Sequence, residues 1–298
     1  MAADTIKQQD IRGLDIDRLV KGYSDEAIIL KRFITNAKTG ARQFRWRQKT
    51  AGFITGPTTS GITASGLKNA AHGAYPVVAE QSWTTTNTYV KEFNVESPWM
   101  PEADIQDCDV DVVTTTVRDL VRGIGHQVDT RIWEVLTDLQ TSVPFDGSTV
   151  TSAAAAGGGW NSATGDPVGD LTSAKKSIRS YAYDPEGATL LINQHEHKML
   201  IDWIINTKGS SIPGYSSERV RDGVVMGLVG LNVVVNSSAT TDYAVVFTSD
   251  ACTYKQFMPL SSEVLKDPRF GRKIFVREMG EAVLTDPNAV YGITDTTV

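Results

Sequence analysis

Cysteine and histidine are scarce in this chain, two and four residues respectively among 298. Cys108 and Cys252 lack the close spacing of a zinc or redox pair. Two buried free thiols in a reducing compartment are the simplest reading, with a disulfide between them as the alternative. No run of about 18 apolar residues is present, which excludes a membrane-spanning helix. Residues Met1 to Asp10 hold no apolar stretch of a signal peptide, so assembly in a cytoplasm is expected. The Gly157-Gly158-Gly159 run lacks the Lys-Ser/Thr ending of a phosphate loop and reads as a flexible loop. Together these absences leave little from which to build a metal or thiol enzyme, and no catalytic residue, cofactor or metal site is expected.

What is present suffices for a large core, since 41% of the residues are hydrophobic. The net charge of -6 is unevenly spread. Residues 1–50 hold 11 Lys/Arg against 6 Asp/Glu, and within them residues 31–50 hold seven basic side chains and no acidic one. The rest of the chain is strongly acidic, which argues against a general nucleic-acid binder.

The first 73 residues do not read as an independent domain. Ile28, Ile29, Phe33 and Ile34 offer a short helical face, after which Arg42, Arg45, Arg47 and Lys49 interleave with Phe44 and Trp46. A Thr/Ser/Gly-rich run follows to Gly66. An extended arm that gains order by lying on another surface is the simplest account. From Ala74 to Met100, β-formers around Val77, Trp83, Tyr89 and Phe93 suggest a long two-stranded ribbon turning at Thr86-Asn87-Thr88. Such a ribbon is marginal alone and implies a partner surface.

The strongest periodic signal is Val113, Val117, Leu120, Val121, Ile124, Val128, Ile132, Val135, Leu136 and Leu139, spaced by threes and fours. It predicts one helix over 113–139, about 40 Å long at ~1.5 Å per residue. Residues 141–169 are rich in Gly and Pro and are expected to form a loop or mobile insertion. Asp170 is then expected to cap a helix carrying Leu171, Ala174 and Ile178. A strand over 188–192, a helix over 194–206 with Met199, Leu200, Trp203 and Ile204 inward, and apolar strands at 224–228, 231–235 and 244–247 follow. After Pro259 come short strands at 274–276, 282–284 and 289–291, expected to return to the long-helix domain. The fold class is α+β, with the segment 168–255 inserted into a discontinuous domain.

Four clusters invite chemistry. His195-Glu196-His197 could hold a metal with a third ligand from elsewhere, but in a helix the two imidazoles would diverge by about 200°. A metal-dependent hydrolase on these residues is therefore an alternative reading, and an ordinary polar role the plainer one. His126 and Asp129 could pair along the long helix, without any marked nucleophile. The acidic series Glu102, Asp104, Asp107, Asp109 and Asp111 lacks the pattern of a calcium loop and reads as a solvated edge able to face a basic segment of another subunit. Arg42, Phe44, Arg45, Trp46 and Arg47 could stack on single-stranded nucleic acid or pack between subunits. The overall acidity favours predicted assembly contacts.

Basic arm, ribbon, long helix, inserted α/β segment and returning strands occur in this order along the chain. The long-helix residues Val117 to Leu136, the stretch Tyr183-Asp184-Pro185-Glu186-Gly187 to Asn193, Met226 to Val235, Phe275-Val276-Arg277-Glu278 and Asp286 to Tyr291 carry that pattern. From about residue 30 onward the chain resembles the HK97-like major capsid proteins of tailed bacteriophages and related tailed archaeal viruses. The resemblance implies an N-terminal arm (1–50), an extended loop and ribbon (51–100), a peripheral domain with a long spine helix (101–167 and 256–298) and an inserted axial domain (168–255). It further implies hexamers and pentamers closing an icosahedral shell around double-stranded DNA, a virion localisation after assembly in the host cytoplasm, and weak nonspecific genome contact without a membrane. The short segment before the arm points to a separate scaffolding protein, with a portal completing the shell. Some relatives crosslink a loop lysine, but neither Lys68 nor Lys91 sits in a motif that assigns it this role. An encapsulin-like compartment shell shares the fold, and a tail or surface-attachment protein is a further alternative.

Overall fold

The computed structural model describes residues 20, 28–49, 72, 83–107, 112–139, 144–145, 149–181, 183–206 and 227–297. After a 3-10 turn at Leu30–Arg32, the elements are β1 (Thr35–Lys38), β2 (Gln43–Lys49), β3 (Trp83–Tyr89), β4 (Lys91–Glu96), α1 (Glu102–Asp107) and α2 (Val112–Leu136). They continue with β5 (Thr151–Ala154), α3 (Pro167–Ser180), β6 (Thr189–Ile192), α4 (Gln194–Asn206), β7 (Gly227–Leu228), β8 (Leu231–Val235) and β9 (Tyr243–Phe247). Two long strands, β10 (Cys252–Asp267) and β11 (Gly271–Leu284), precede β12 (Val290–Thr294). The fold is mixed α+β, with a four-stranded sheet in the order β1-β10-β11-β4, a six-stranded sheet in the order β5-β12-β9-β6-β8-β7, and the ribbon β2-β3.

Helix α2 lies on the four-stranded sheet. Its buried residues Val113, Val117, Val121, Ile124, Val128, Ile132 and Leu136 keep the three-and-four spacing, and they join Tyr254, Ile274, Val276 and Ala282 in one apolar cluster. Each such side chain contributes about 1.5–3 kcal/mol when fully buried. Trp133 widens the buried face, while Leu120 and Val135 are only partly covered. The helix stops three residues short of the expected end, because the chain turns through Thr137 into Asp138, whose φ is 50°. A residue in the left-handed region ends a helix, and aspartate tolerates that conformation better than most.

Strands β6, β8 and β9 read as continuous apolar runs because their sheet is covered on both faces. Leu191, Val245 and Phe247 join the α2 cluster, whereas Leu190, Ile192, Ala244 and Val246 meet Leu171, Ile178, Leu200 and Trp203 from α3 and α4. One sheet thus joins the two cores. Two of its strands, β5 and β12, lie outside residues 168–255, and β12 pairs with β9 and β5 rather than with the four-stranded sheet.

Four local expectations are corrected. Asp170 is not a cap: α3 begins at Pro167 after Asp166, and the buried Asp170 carboxylate accepts the Ala156 N–H at 3.0 Å and the Trp160 indole N–H at 2.9 Å. That contact also orders much of the expected loop, since Trp160 is buried and β5 pairs in parallel with β12. At Gly157, with φ 74°, a Cβ would stand 2.1 Å from the Thr164 carbonyl oxygen, so glycine here serves close packing. No turn forms at Thr86–Thr88: β3 runs straight through it and pairs with β2, while β4 leaves the ribbon for β11. Finally, the strands expected at 274–276 and 282–284 are one, β11, paired to a β10 that passes Pro259 by register shifts on either side of Met258.

Candidate assembly surface

Strand alternation sorts the basic–aromatic segment onto two faces of the ribbon. Phe44 and Trp46 are half-buried on one face, and Arg45 and Arg47 are exposed on the other. The register sets Phe44 opposite Thr88, Arg45 opposite Asn87, Trp46 opposite Thr86 and Arg47 opposite Thr85. Trp46 donates its indole N–H to Thr88 Oγ1 at 2.8 Å, and Arg45 Nε donates to Asn87 Oδ1 at 3.3 Å. Arg42 is exposed just before the ribbon, where its carbonyl accepts the Val90 N–H at 2.8 Å. Trp83 and Tyr89 remain 45% and 67% exposed. Phe44, Arg45, Trp46 and Arg47 thus stand on a two-stranded ribbon that, among the described residues, joins neither larger sheet, and Arg42 stands immediately before it.

The ribbon and the segment Ile29 to Lys31 are fixed to the body by buried polar groups. Lys49 Nζ donates to Tyr183 Oη at 2.6 Å and lies 3.5 Å from Asp286 Oδ2, and the Tyr183 hydroxyl donates to the same carboxylate. Burial first, and the Asp286 carboxylate second, push the Tyr183 phenol above its ordinary range. Further back, Asp129 on α2 accepts the Ile29 and Leu30 N–H groups at 3.2 and 3.1 Å and the Asn236 amide at 2.8 Å. Lys31 meets Glu278, which also accepts the Tyr254 hydroxyl at 3.1 Å, and Arg131 Nε donates to Glu281 at 2.7 Å. Burial raises the Asp129 pKa, against the opposing pull of these donors. It pushes the free Cys252 thiol up to about 12, leaving it inert. Cys108 lies outside the described residues.

The other candidates resolve into ordinary roles. His195 and His197 stand on α4, a helix, with His195 exposed and Glu196 buried between them, its Oε1 accepting the Asp242 N–H at 2.7 Å. Desolvation lowers the His197 pKa. His126 faces Ser238 Oγ at 2.8 Å instead of pairing with Asp129. Among the described residues no group of three or more His, Cys, Asp or Glu is placed to hold a metal ion. Of the acidic series, Glu102 pairs with Arg272 and Asp104 is exposed, while residues 108–111 fall outside the described chain. The ties of Asp129, Glu278, Glu281 and Asp286 escaped sequence reasoning, because a charged residue carries no local mark of burial.

A family model described as phage capsid protein matches residues 98–293, about two-thirds of the chain. The chain belongs to this family. Solved structures agree in fold. A virus-like particle protein from Pyrococcus furiosus aligns with a TM-score of 0.61 at 9% identity over 94% of this chain and 97% of its own. Mycobacterium phage Che8 gives 0.61 at 17% identity over 91% and 92%, and the capsid of cyanophage P-SCSP1u gives 0.64 at 13% over 90% and 88%. No curated protein matches the chain. The protein is an HK97-like capsid protein.

Proposed function

We propose that this capsid protein is the repeating subunit of an icosahedral shell, arranged as hexamers and pentamers around double-stranded DNA. The observation that carries the reading is the ribbon: among the described residues β2 and β3 pair only with each other, and the aromatic Trp83 and Tyr89 stay in solvent. A two-stranded ribbon is marginal in water, so a neighbouring copy is what stabilises it. Arg42, Phe44, Arg45, Trp46 and Arg47 are its contact residues, the aromatic face seated on a neighbour and the arginines meeting carboxylates. In this reading residues 1–50 contribute the arm and the first ribbon strand, and residues 51–100 complete the loop. Helix α2 is the spine of the peripheral domain with the four-stranded sheet. The axial domain is built on 168–255 and takes β5 and β12 into its sheet. A separate scaffolding protein and a portal complete assembly in the host cytoplasm, and genome contact is nonspecific.

Electron microscopy of the chain expressed alone and with its scaffolding protein tests this. Uniform polyhedral particles tens of nanometres across are expected, and replacing Arg42, Arg45 and Arg47 with glutamate should leave folded subunits that fail to close shells. A stable monomer in both preparations, or normal shells from the triple variant, overturns the shell reading or the ribbon contacts respectively.

A further inference from the structure

The outer face of α2 carries a row of basic side chains that takes no part in the core or the ribbon. Arg118, Arg122 and His126 are exposed at four-residue spacing, opposite the face that packs on the sheet. On a helix that spacing stacks side chains into one ridge, in steps of about 6 Å. Beside the ridge, Gly123 has nothing within 4 Å of an added Cβ, so the surface there is open.

Arg122 and His126 also line a cavity of about 330 Å³, which they share with Gln194, Ser237, Ser238 and the buried Asp129. His126 Nδ1 is engaged with Ser238 Oγ at 2.8 Å, which leaves Nε2 for a ligand. Arg122 makes no ion pair or hydrogen bond with a described residue, whereas Arg131, further along the same helix, is held by Glu134 and Glu281. Asp129 does not supply the missing partner, because its oxygens already accept the Ile29 and Leu30 amides and the Asn236 side chain. Helix α4 begins at Gln194, so the positive end of its dipole adds to the same side of the cavity.

Donor type and layout together select the ligand. An unpaired guanidinium, an imidazole, serine hydroxyls and a glutamine amide beside a helix start are groups that hold backbone phosphates, and they read no sequence. A row about 12 Å long suits an extended polyanion better than a single ion. We propose that this ridge and cavity bind the backbone phosphates of double-stranded DNA, with Arg122 as the central contact, His126, Gln194 and Ser237 as flanking donors, and Arg118 extending the track. The inference gives the proposed genome contact a place on the subunit and rests on that reading for the source of the DNA.

Fluorescence anisotropy of unassembled full-length subunits with short labelled duplexes of two unrelated sequences, at a series of salt concentrations, tests it. Wild type should bind both duplexes equally, with affinity falling as salt rises. Arg122→Ala should lower the slope of log affinity against log salt by about one, and Arg118→Ala with Arg122→Ala by about two. Arg122 is exposed, so its circular dichroism spectrum and thermal midpoint should match wild type. Lys176→Ala removes an exposed cation from α3 and should leave the slope unchanged. An equal drop in Lys176→Ala overturns the site, because binding would then follow total charge alone. A wild type that binds no duplex at low salt overturns it too, as does polyglutamate competing as well as unlabelled DNA, which assigns an acidic protein partner instead. Thermal stabilisation by inorganic phosphate without DNA binding limits the cavity to a free ion and overturns the genome assignment. The readout is independent of shell closure: normal shells from a subunit blind to DNA refute this site alone, and Arg122-dependent DNA binding by subunits that never form shells refutes the shell reading alone.

Discussion

Asp129→Ala should loosen the root of the arm. The carboxylate is 2% exposed and is the common acceptor for three donors from two other segments, the Ile29 and Leu30 amides and the Asn236 side chain. Removing it strands the Leu30 amide in a fully buried residue and the Asn236 amide in one 6% exposed. An unsatisfied buried donor costs about 1–3 kcal/mol. Against that, the alanine variant no longer has a carboxylate to desolvate, and desolvation is the main cause of the raised Asp129 pKa. The net loss is therefore about 2–4 kcal/mol, less than three full penalties. Hydrogen exchange should speed up at Ile29 and Leu30 by between about thirtyfold and several hundredfold, at tenfold per 1.4 kcal/mol. The midpoint of thermal unfolding should fall by roughly 5–10 °C. Asp129→Asn, which keeps the shape and one acceptor oxygen, should show a smaller loss. The pH dependence has a definite sign. A folded-state pKa above the ordinary 3.8 gives a stabilising contribution that is present below that value and lost as pH rises through the folded pKa. Acid should not free the arm through this group. Unchanged exchange at Ile29 and Leu30 in Asp129→Ala would refute the assignment of Asp129 as the arm's anchor.

Three further outcomes follow from the same structure. Ile124→Asp places an unpaired carboxylate at a site 2% exposed on the packed face of α2, costing several kcal/mol, so the yield of soluble folded subunit should collapse. Gly123, one residue earlier, is exposed and has nothing within 4 Å of an added Cβ. Gly123→Ala should therefore stabilise the subunit by about 0.5–1 kcal/mol, read as a higher midpoint in thermal unfolding. The Arg272 hydrogen bond, aided by its charge, lowers the Glu102 pKa below the ordinary 4.5. That contribution is present above the unfolded value and lost as pH falls through the folded pKa. Wild type should thus exceed Glu102→Gln in protection of α1 from exchange at pH 6, and the difference should vanish in strong acid.

What the sequence displayed and what it concealed divide along the range of the interactions. The face of α2 was readable because Val113 to Leu136 repeat along one helix, and β8 and β9 because burial on both faces leaves no polar alternation to confuse them. The end of α2 was not, since Leu139 continues the period while Asp138 leaves the helical conformation. Thr86-Asn87-Thr88 suits a turn or a strand locally. The choice was made by β2, some 40 residues earlier in the chain, whose Trp46 meets Thr88 through a side-chain hydrogen bond. Asp129, Glu278 and Glu281 follow the same logic at greater separation, with partners that lie 99, 247 and 150 residues away in Leu30, Lys31 and Arg131.

These buried pairs also change what the charge imbalance means. The basic excess of residues 31–50 is not spent on one surface, because Lys31 and Lys49 turn inward to Glu278 and Asp286. Arg45 and Arg47, on the face opposite Phe44 and Trp46, stay outside, whereas Lys49 on that same face reaches the body because it ends the strand beside Tyr183 and Asp286. Part of the acidic majority is likewise internal, with Glu278 and Asp286 matched to Lys31 and Lys49 and Glu281 to Arg131 of α2. The cations at 31 and 49 therefore fix their segments to the body, and those at 42, 45 and 47 stay exposed, as the proposed contact with a neighbour requires. This division makes the assembly prediction specific: reversing Arg45 and Arg47 should cost shell closure with little effect on folding, whereas replacing Lys31, whose partner Glu278 is fully buried, should destabilise the subunit itself.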